Sequence, residues 1–139
     1  MAIFQSADEV CRYVGRMFEL FVQKPEYEER IRESGLVVRL NYSDPDTVIL
    51  IDFPNQKVFY DAEADSASTP NVDMYMASDD AHRFWTGKLN FPIAMARRKV
   101  RMEGSTAKAM KLLPLTNPLF ETYRQLLADA GRTDLLAAG

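Results

Sequence analysis

At 139 residues the chain is the size of one domain, long enough to bury roughly two-thirds of its unfolded surface around a single core. Its 47% hydrophobic and 27% charged residues are those of a soluble globular protein, not of a disordered or fibrous one. The net charge of -3 excludes a whole-molecule attraction for nucleic acid, and the single cysteine, Cys11, excludes an internal disulfide or a cysteine-rich metal site. The longest apolar runs fall well short of the ~20 residues that cross a bilayer, and no signal-peptide pattern is present, so a cytoplasmic protein is expected.

Ser6-Ala7-Asp8-Glu9 has the form of a capping box, and Val10, Tyr13, Val14, Met17, Phe18 and Phe21 follow as one apolar stripe on a helix. Pro25 ends that helix. A short acidic helix over Glu26 to Glu33 stops at Ser34-Gly35. Leu36 to Tyr42 alternates as a strand with Leu36, Val38, Leu40 and Tyr42 on one face. Asp44-Pro45-Asp46 turns the chain into a β-branched strand over Thr47 to Phe53, and Pro54-Asn55-Gln56 turns it back into Lys57 to Tyr60. Turns this short imply an antiparallel meander.

Asp61 to Pro70 is small, polar and acidic, and reads as a loop. Val72 to Met76 alternates as a fourth strand, and Ser78 caps a helix that ends with Phe84 and Trp85 and stops at Gly87. Asn90 caps a second short helix. Lys99 to Glu103 is a fifth strand ending at Gly104, and Ser105 caps a helix terminated by Leu113-Pro114. Asn117-Pro118 opens the last helix, whose stripe of Leu119, Phe120, Tyr123, Leu126, Leu127 and Ala130 runs to a stop at Gly131. The order predicts one α+β domain over residues 1–139, a mixed sheet covered by helices.

Chemistry-bearing residues are few. His82, the only histidine, sits beside Asp80 at a helix start; general-base chemistry there is weighed against an ordinary surface histidine, which is preferred. Asp44/Asp46, Asp79/Asp80 and Glu28/Glu29 suit turns and helix starts better than a metal, and neither a catalytic residue nor a cofactor is expected. Arg97, Arg98, Lys99 and Arg101 form a local cationic cluster. It reads as a solvated helix end followed by the outer face of an edge strand, or as a site for an anionic partner. In the second reading transient contact with an anionic membrane is favoured over nucleic acid, since no aromatic platform interleaves the charges. Met74, Met76, Met95, Met102 and Met110, with Phe84, Trp85, Leu89, Phe91 and Ile93, exceed what one small face needs, and flexible methionines suit a wall that adapts to apolar guests.

Between Val72 and Leu113 the chain resembles the sterol carrier protein family, the non-specific lipid-transfer fold. The resemblance is carried by Met74-Tyr75-Met76-Ala77-Ser78-Asp79-Asp80, by Trp85-Thr86-Gly87-Lys88-Leu89-Asn90, by Lys99-Val100-Arg101-Met102-Glu103-Gly104 and by Lys108-Ala109-Met110-Lys111-Leu112. It implies a five-stranded sheet with helices over one face and an apolar tunnel between them for a sterol, fatty acid, acyl chain or other lipid, without catalysis. The tunnel lining it implies is Phe84, Trp85, Leu89, Phe91, Ile93, Met102, Met110, Leu113 and Phe120, with Gly87 serving backbone geometry alone. The chain departs from the family at Arg98, where glycine is common before the strand lysine, and in a longer last helix. That helix is expected to lid the tunnel or to make a homodimer. The absence of a peroxisomal signal fits a bacterial-type stand-alone member. The competing expectation is a structural or docking module whose interior is filled by its own side chains.

Overall fold

The computed structural model describes residues 3–138. The first helix begins as the capping box requires: the Ser6 hydroxyl accepts from the Glu9 amide at 3.3 Å. The Glu9 carboxylate accepts from the amide of Gln5, one residue before the cap, at 2.6 Å. The helix runs as α1 (Ala7–Val10), a π turn over Cys11–Gly15 and α2 (Arg16–Val22). Its whole predicted stripe is buried. Burial together with Asp61, Asp8 and Glu19 pushes the Cys11 thiol up to about 11, so it stays protonated and unreactive at neutral pH. A 3₁₀ turn at Pro25–Tyr27 leads into α3 (Glu28–Glu33).

Five strands follow: β1 (Val37–Ser43), β2 (Thr47–Asp52), β3 (Lys57–Tyr60), β4 (Val72–Ala77) and β5 (Arg101–Gly104). They form one mixed sheet in the order β3-β2-β1-β4-β5. The predicted meander is present, with β1 and β2 pairing antiparallel from Val37–Asp52 to Tyr42–Thr47 and β3 beyond them. β4 returns parallel to β1, with Tyr42 opposite Met76, and β5 is antiparallel to β4. The alternation of β1 becomes the inner face: Leu36, Val38, Leu40 and Tyr42 are all buried.

Two expectations are corrected. Asp61 to Pro70 is not all loop: α4 spans Asp61–Ala67. Alanine is the strongest helix former, and Ala64 is buried where α4 packs on β2 and β3. Leu50 and Ala64 are buried outside the main cluster, which puts α4 on the face of the sheet opposite the core. The fifth strand also starts two residues late. The amides of Lys99 and Val100 both donate to the Ala94 carbonyl, at 2.9 and 3.4 Å, and this holds them out of the ladder.

The core face is covered by α2, α5 (Ser78–Trp85), α6 (Phe91–Ala96), α7 (Thr106–Leu112) with a 3₁₀ turn at Leu113–Thr116, and α8 (Pro118–Asp129). Leu119, Tyr123 and Leu127 of α8 are fully buried against α2 and α5. Each such burial is worth about 1.5–3 kcal/mol. Half of the predicted stripe of the last helix is thus used inside its own chain, while Phe120 and Leu126 are half-buried and Ala130 is exposed. A short α9 (Thr133–Ala137), which the sequence reading did not separate, closes the fold beyond Gly131.

Gly87 and Gly104 have φ of +82° and +97°, but only Gly104 is also crowded: a Cβ there would overlap the backbone carbonyl of Asn71. Gly87→Ala is therefore expected to cost about 1 kcal/mol, for the left-handed backbone alone. Gly104→Ala should cost about 3 kcal/mol or more, because backbone cannot move aside as a side chain can. Urea unfolding of the two variants checks the order.

Candidate functional site: an apolar cavity under the Trp85 turn

The turn after α5 is built by a Schellman motif, with the Gly87 amide on the Phe84 carbonyl at 3.0 Å and the Lys88 amide on the Arg83 carbonyl at 2.7 Å. The Thr86 hydroxyl adds a bond to the His82 carbonyl at 2.9 Å. Asn90 then caps α6 as expected, its side chain accepting from the Ile93 amide at 3.0 Å. The two caps fix the angle at which Phe84, Trp85 and Phe91 meet. Phe84 lies 4.7 Å from Trp85, 5.5 Å from Phe91 and 5.3 Å from Phe120 between ring centroids. Phe18 of α2 meets Trp85 edge-on at 5.7 Å. Edge-to-face and tilted contacts of this kind make a rigid wall.

Between that wall and the sheet is a cavity of about 90 Å³. The sheet contributes Val38, Leu40, Tyr42, Ile51, Met74 and Met76, with Leu36 and Phe53 at strand ends. The helices contribute Phe18, Phe84, Trp85, Phe91, Ala109 and Leu112, and the 3₁₀ turn Leu113 and Thr116. The one side-chain hydroxyl besides Tyr42, that of Thr116, donates to the Leu113 carbonyl at 2.6 Å, so the lining offers almost nothing polar.

Of the residues singled out in the sequence, Phe84, Trp85, Phe91 and Leu113 line this cavity. Leu89, Met102 and Phe120 do not reach it and pack against the core from behind. Ile93 and Met110 lie on the surface, 50% and 44% exposed, because α6 and α7 turn those positions outward. The inner face of β1, with Ile51 and Phe53, was legible as a buried face; its role in the cavity was missed, since alternation does not say what a face covers.

His82 is not a surface residue. It is fully buried, with Nδ1 2.7 Å from the Tyr123 hydroxyl and Nε2 2.7 Å from the Leu135 carbonyl. A carbonyl only accepts, so Nε2 carries the proton and Nδ1 accepts from Tyr123. Both nitrogens are occupied away from solvent, which leaves none for general-base work. The paired carboxylates have local tasks too: Asp79 accepts from the Ile3 amide at 2.7 Å, Asp80 holds Arg83 at 2.8 Å, and Glu28 holds Arg32 at 3.1 Å. Among the described residues no helix is long and apolar enough to cross a membrane.

Residues 16–117 match the SCP-2 sterol transfer family. The chain belongs to that family. Its domains are in general lipid-binding and non-catalytic. Similar solved structures include sterol carrier protein domain 2 of Helicoverpa armigera, with a TM-score of 0.64 and 22% identity over 81% of this chain and 89% of that one. The apo sterol carrier protein 2 of Yarrowia lipolytica has a TM-score of 0.60 at 13% identity, over 78% and 87% of the two chains. Sterol carrier protein-2 like-3 of Aedes aegypti has a TM-score of 0.53 at 13% identity, over 85% and 96%. At such identities the likeness is one of fold. No curated protein matches this sequence.

The buried imidazole predicts a pH dependence. Burial, the largest influence, holds the His82 pKa below its ordinary 6.5. The unfolded chain therefore binds a proton that the native state resists, and stability contributed by the neutral ring is full above about 6.5 and is lost as pH falls below it. Melting temperature is expected to fall between pH 7 and pH 5, and His82→Gln should flatten that fall while lowering stability at pH 7.

Proposed function

We propose that this member of the sterol carrier family is a non-catalytic carrier that binds one hydrophobic lipid in the cavity under Trp85. The observation that carries the reading is a void in the middle of an otherwise close-packed core, walled almost wholly by apolar side chains. Affinity would come from burial of the guest, about 0.8 kcal/mol for each methylene. The exposed Arg97, Arg98, Lys99 and Arg101 suit brief contact with an anionic membrane during loading and release. For a homodimer through α8, Phe120 and Leu126 are half-buried and Ala130 is exposed, while Leu119, Tyr123 and Leu127 are already buried within the chain.

At about 90 Å³ the resting cavity is smaller than the ~150 Å³ that admits a benzene ring. A lipid chain therefore enters only if a wall moves. The wall suited to moving is α7 with its 3₁₀ turn: Leu112 is the only fully buried side chain of α7, Ala109 is half-buried and Met110 faces water. Segments held by so little apolar burial open at low free-energy cost. The same small volume favours a second reading, a structural module with a core that is nearly filled.

The two separate in a titration of Trp85 fluorescence, the only tryptophan, with fatty acids and sterols. A carrier gives a saturable response, and Ala109→Leu, which fills the cavity, should weaken binding at least about tenfold, since each chain methylene kept out forfeits ~0.8 kcal/mol. Absence of any response to either lipid class, with unfolding unaffected by added lipid, sinks the carrier and leaves the structural module.

A further inference from the structure

Two grooves on the outside of the helical layer have opposite character. The first, of about 410 Å³, is bordered by Arg83, Lys88, Arg97 and Lys99, together with Asn90 and Ile93 of the α6 region. No carboxylate is among its described lining residues. Ile93 is more exposed than any other large apolar side chain among the described residues. The second groove, of about 310 Å³, lies between α2 and α8. It is lined by the half-buried Leu20 and Leu126 and by the exposed Glu121 and Asp129, with no cation among its described lining residues.

The charges at both places are free to take a partner. Arg83 is held on Asp80 at 2.8 Å, and Lys88 donates to the Ala138 carbonyl at 3.0 Å, which leaves its charge without a carboxylate among the described residues. Arg97 and Lys99 are exposed and enter none of the ion pairs among the described residues. In the second groove Asp129 accepts a bond from the neutral Gln125 side chain at 2.8 Å. Glu121 meets Arg124 of its own helix at 3.1 Å, an exposed pair of little worth that exchanges readily. A small anion on the cations would leave Ile93 in water, whereas a surface with both carboxylates and apolar side chains satisfies the two together.

The spacings match as well. Lys88 lies five residues before Ile93 and Arg97 four after it, while Glu121 lies five before Leu126 and Asp129 three after it. Positions three or four apart share a helix face, so Arg97 stands beside Ile93 and Asp129 beside Leu126. Ile93 set against Leu126, with the two helices running the same way, brings Arg97 to Asp129 and Lys88 to Glu121. In the fold α6 and α8 flank one ring: Phe84 is 5.5 Å from Phe91 and 5.3 Å from Phe120. A two-fold axis between them makes the contact twice, as a closed dimer requires.

We infer that the occupant of both grooves is a second copy of this chain. In a two-fold dimer Ile93 of one protomer seats between Leu20 and Leu126 of the partner subunit, with Arg97 on Asp129 of the partner subunit, and the reverse contact closes the pair. Arg97 cannot serve a membrane and a carboxylate at once, so the dimer is the form taken away from membranes. The inference goes beyond the carrier reading, which the Trp85 titration decides separately.

Sedimentation equilibrium of the full chain tests it. The wild type should dimerise reversibly, and more weakly at ~1 M salt, where exposed charges are screened. Arg97→Glu and Asp129→Arg should each weaken the dimer about a hundredfold or more, since like charges then face each other twice. An equimolar mixture of these two variants should dimerise again, because every contact between unlike copies regains opposite charges. Ile93→Ser should weaken the dimer about tenfold and leave the fold intact, its side chain being exposed. Lys108→Glu, outside both grooves, should change nothing. A wild type that stays monomeric up to about 1 mM overturns the inference. So does a dimer that survives both charge reversals, or a mixture that fails to recover. A monomer that binds phosphatidylglycerol vesicles and loses them in Ile93→Ser gives this face to the membrane and overturns it too.

Discussion

The parallel pairing of β1 with β4 is the constraint on which the rest of the structure depends. It requires the chain to leave the meander, cross beneath the sheet through α4 and come back beside its first strand. Only then does α5 start at the end of an interior strand and carry Phe84 and Trp85 over the inner face of β1. The cavity is what remains between two surfaces whose separation is set by other contacts: the sheet below, and above it a cluster of aromatic rings too rigid to collapse into the gap. Small apolar voids persist where their walls are held from behind.

The holding from behind is partly polar. Tyr123 and the Leu135 carbonyl clasp His82, and Arg132 reaches back to Glu9 at 2.6 Å and to the Tyr13 hydroxyl at 3.3 Å. Tyr123, Arg132 and Leu135 thereby tie α8 and α9 to the first helix and to α5. A buried histidine with both nitrogens bonded is costly to leave half-satisfied, so it specifies one seating of α8 and α9 where apolar contact alone would tolerate several. The family match spans residues 16–117 and so leaves out both α1 with its π turn and α8 with α9, the elements that Arg132 joins.

The molecule separates its chemistry by place. Apolar space lies inside, and cations gather where β5 fails to cover β4. The net charge of -3 hides this, because acidic residues are distributed over α3, α4 and the helix starts, where they do local work.

Much of the architecture was legible in the chain itself. Alternation placed Leu36, Val38, Leu40 and Tyr42 on one buried face, Ser6 and Asn90 announced their helices, Gly87 its turn, and the Thr-Gly-Lys-Leu-Asn segment its family. Periodicity and capping are properties of neighbouring residues, so they are written locally. Other features were not local. α4 was hidden because its one buried contact, Ala64, faces a sheet that the segment itself does not encode. His82 looked solvated because nothing near it in sequence is Tyr123 or Leu135, 41 and 53 residues away. The candidate site divided in the same way: Phe84, Trp85, Phe91 and Leu113 point inward, while Ile93 and Met110, equally apolar, point outward by helix phase alone. Sequence by itself determined most of the helices and strands, α4, α9 and the start of β5 excepted, and the family they make, since those depend on near neighbours. Whether empty space survives among them, and what charge stands at its edge, only the tertiary structure decided, because both depend on distances between segments that the chain order does not contain.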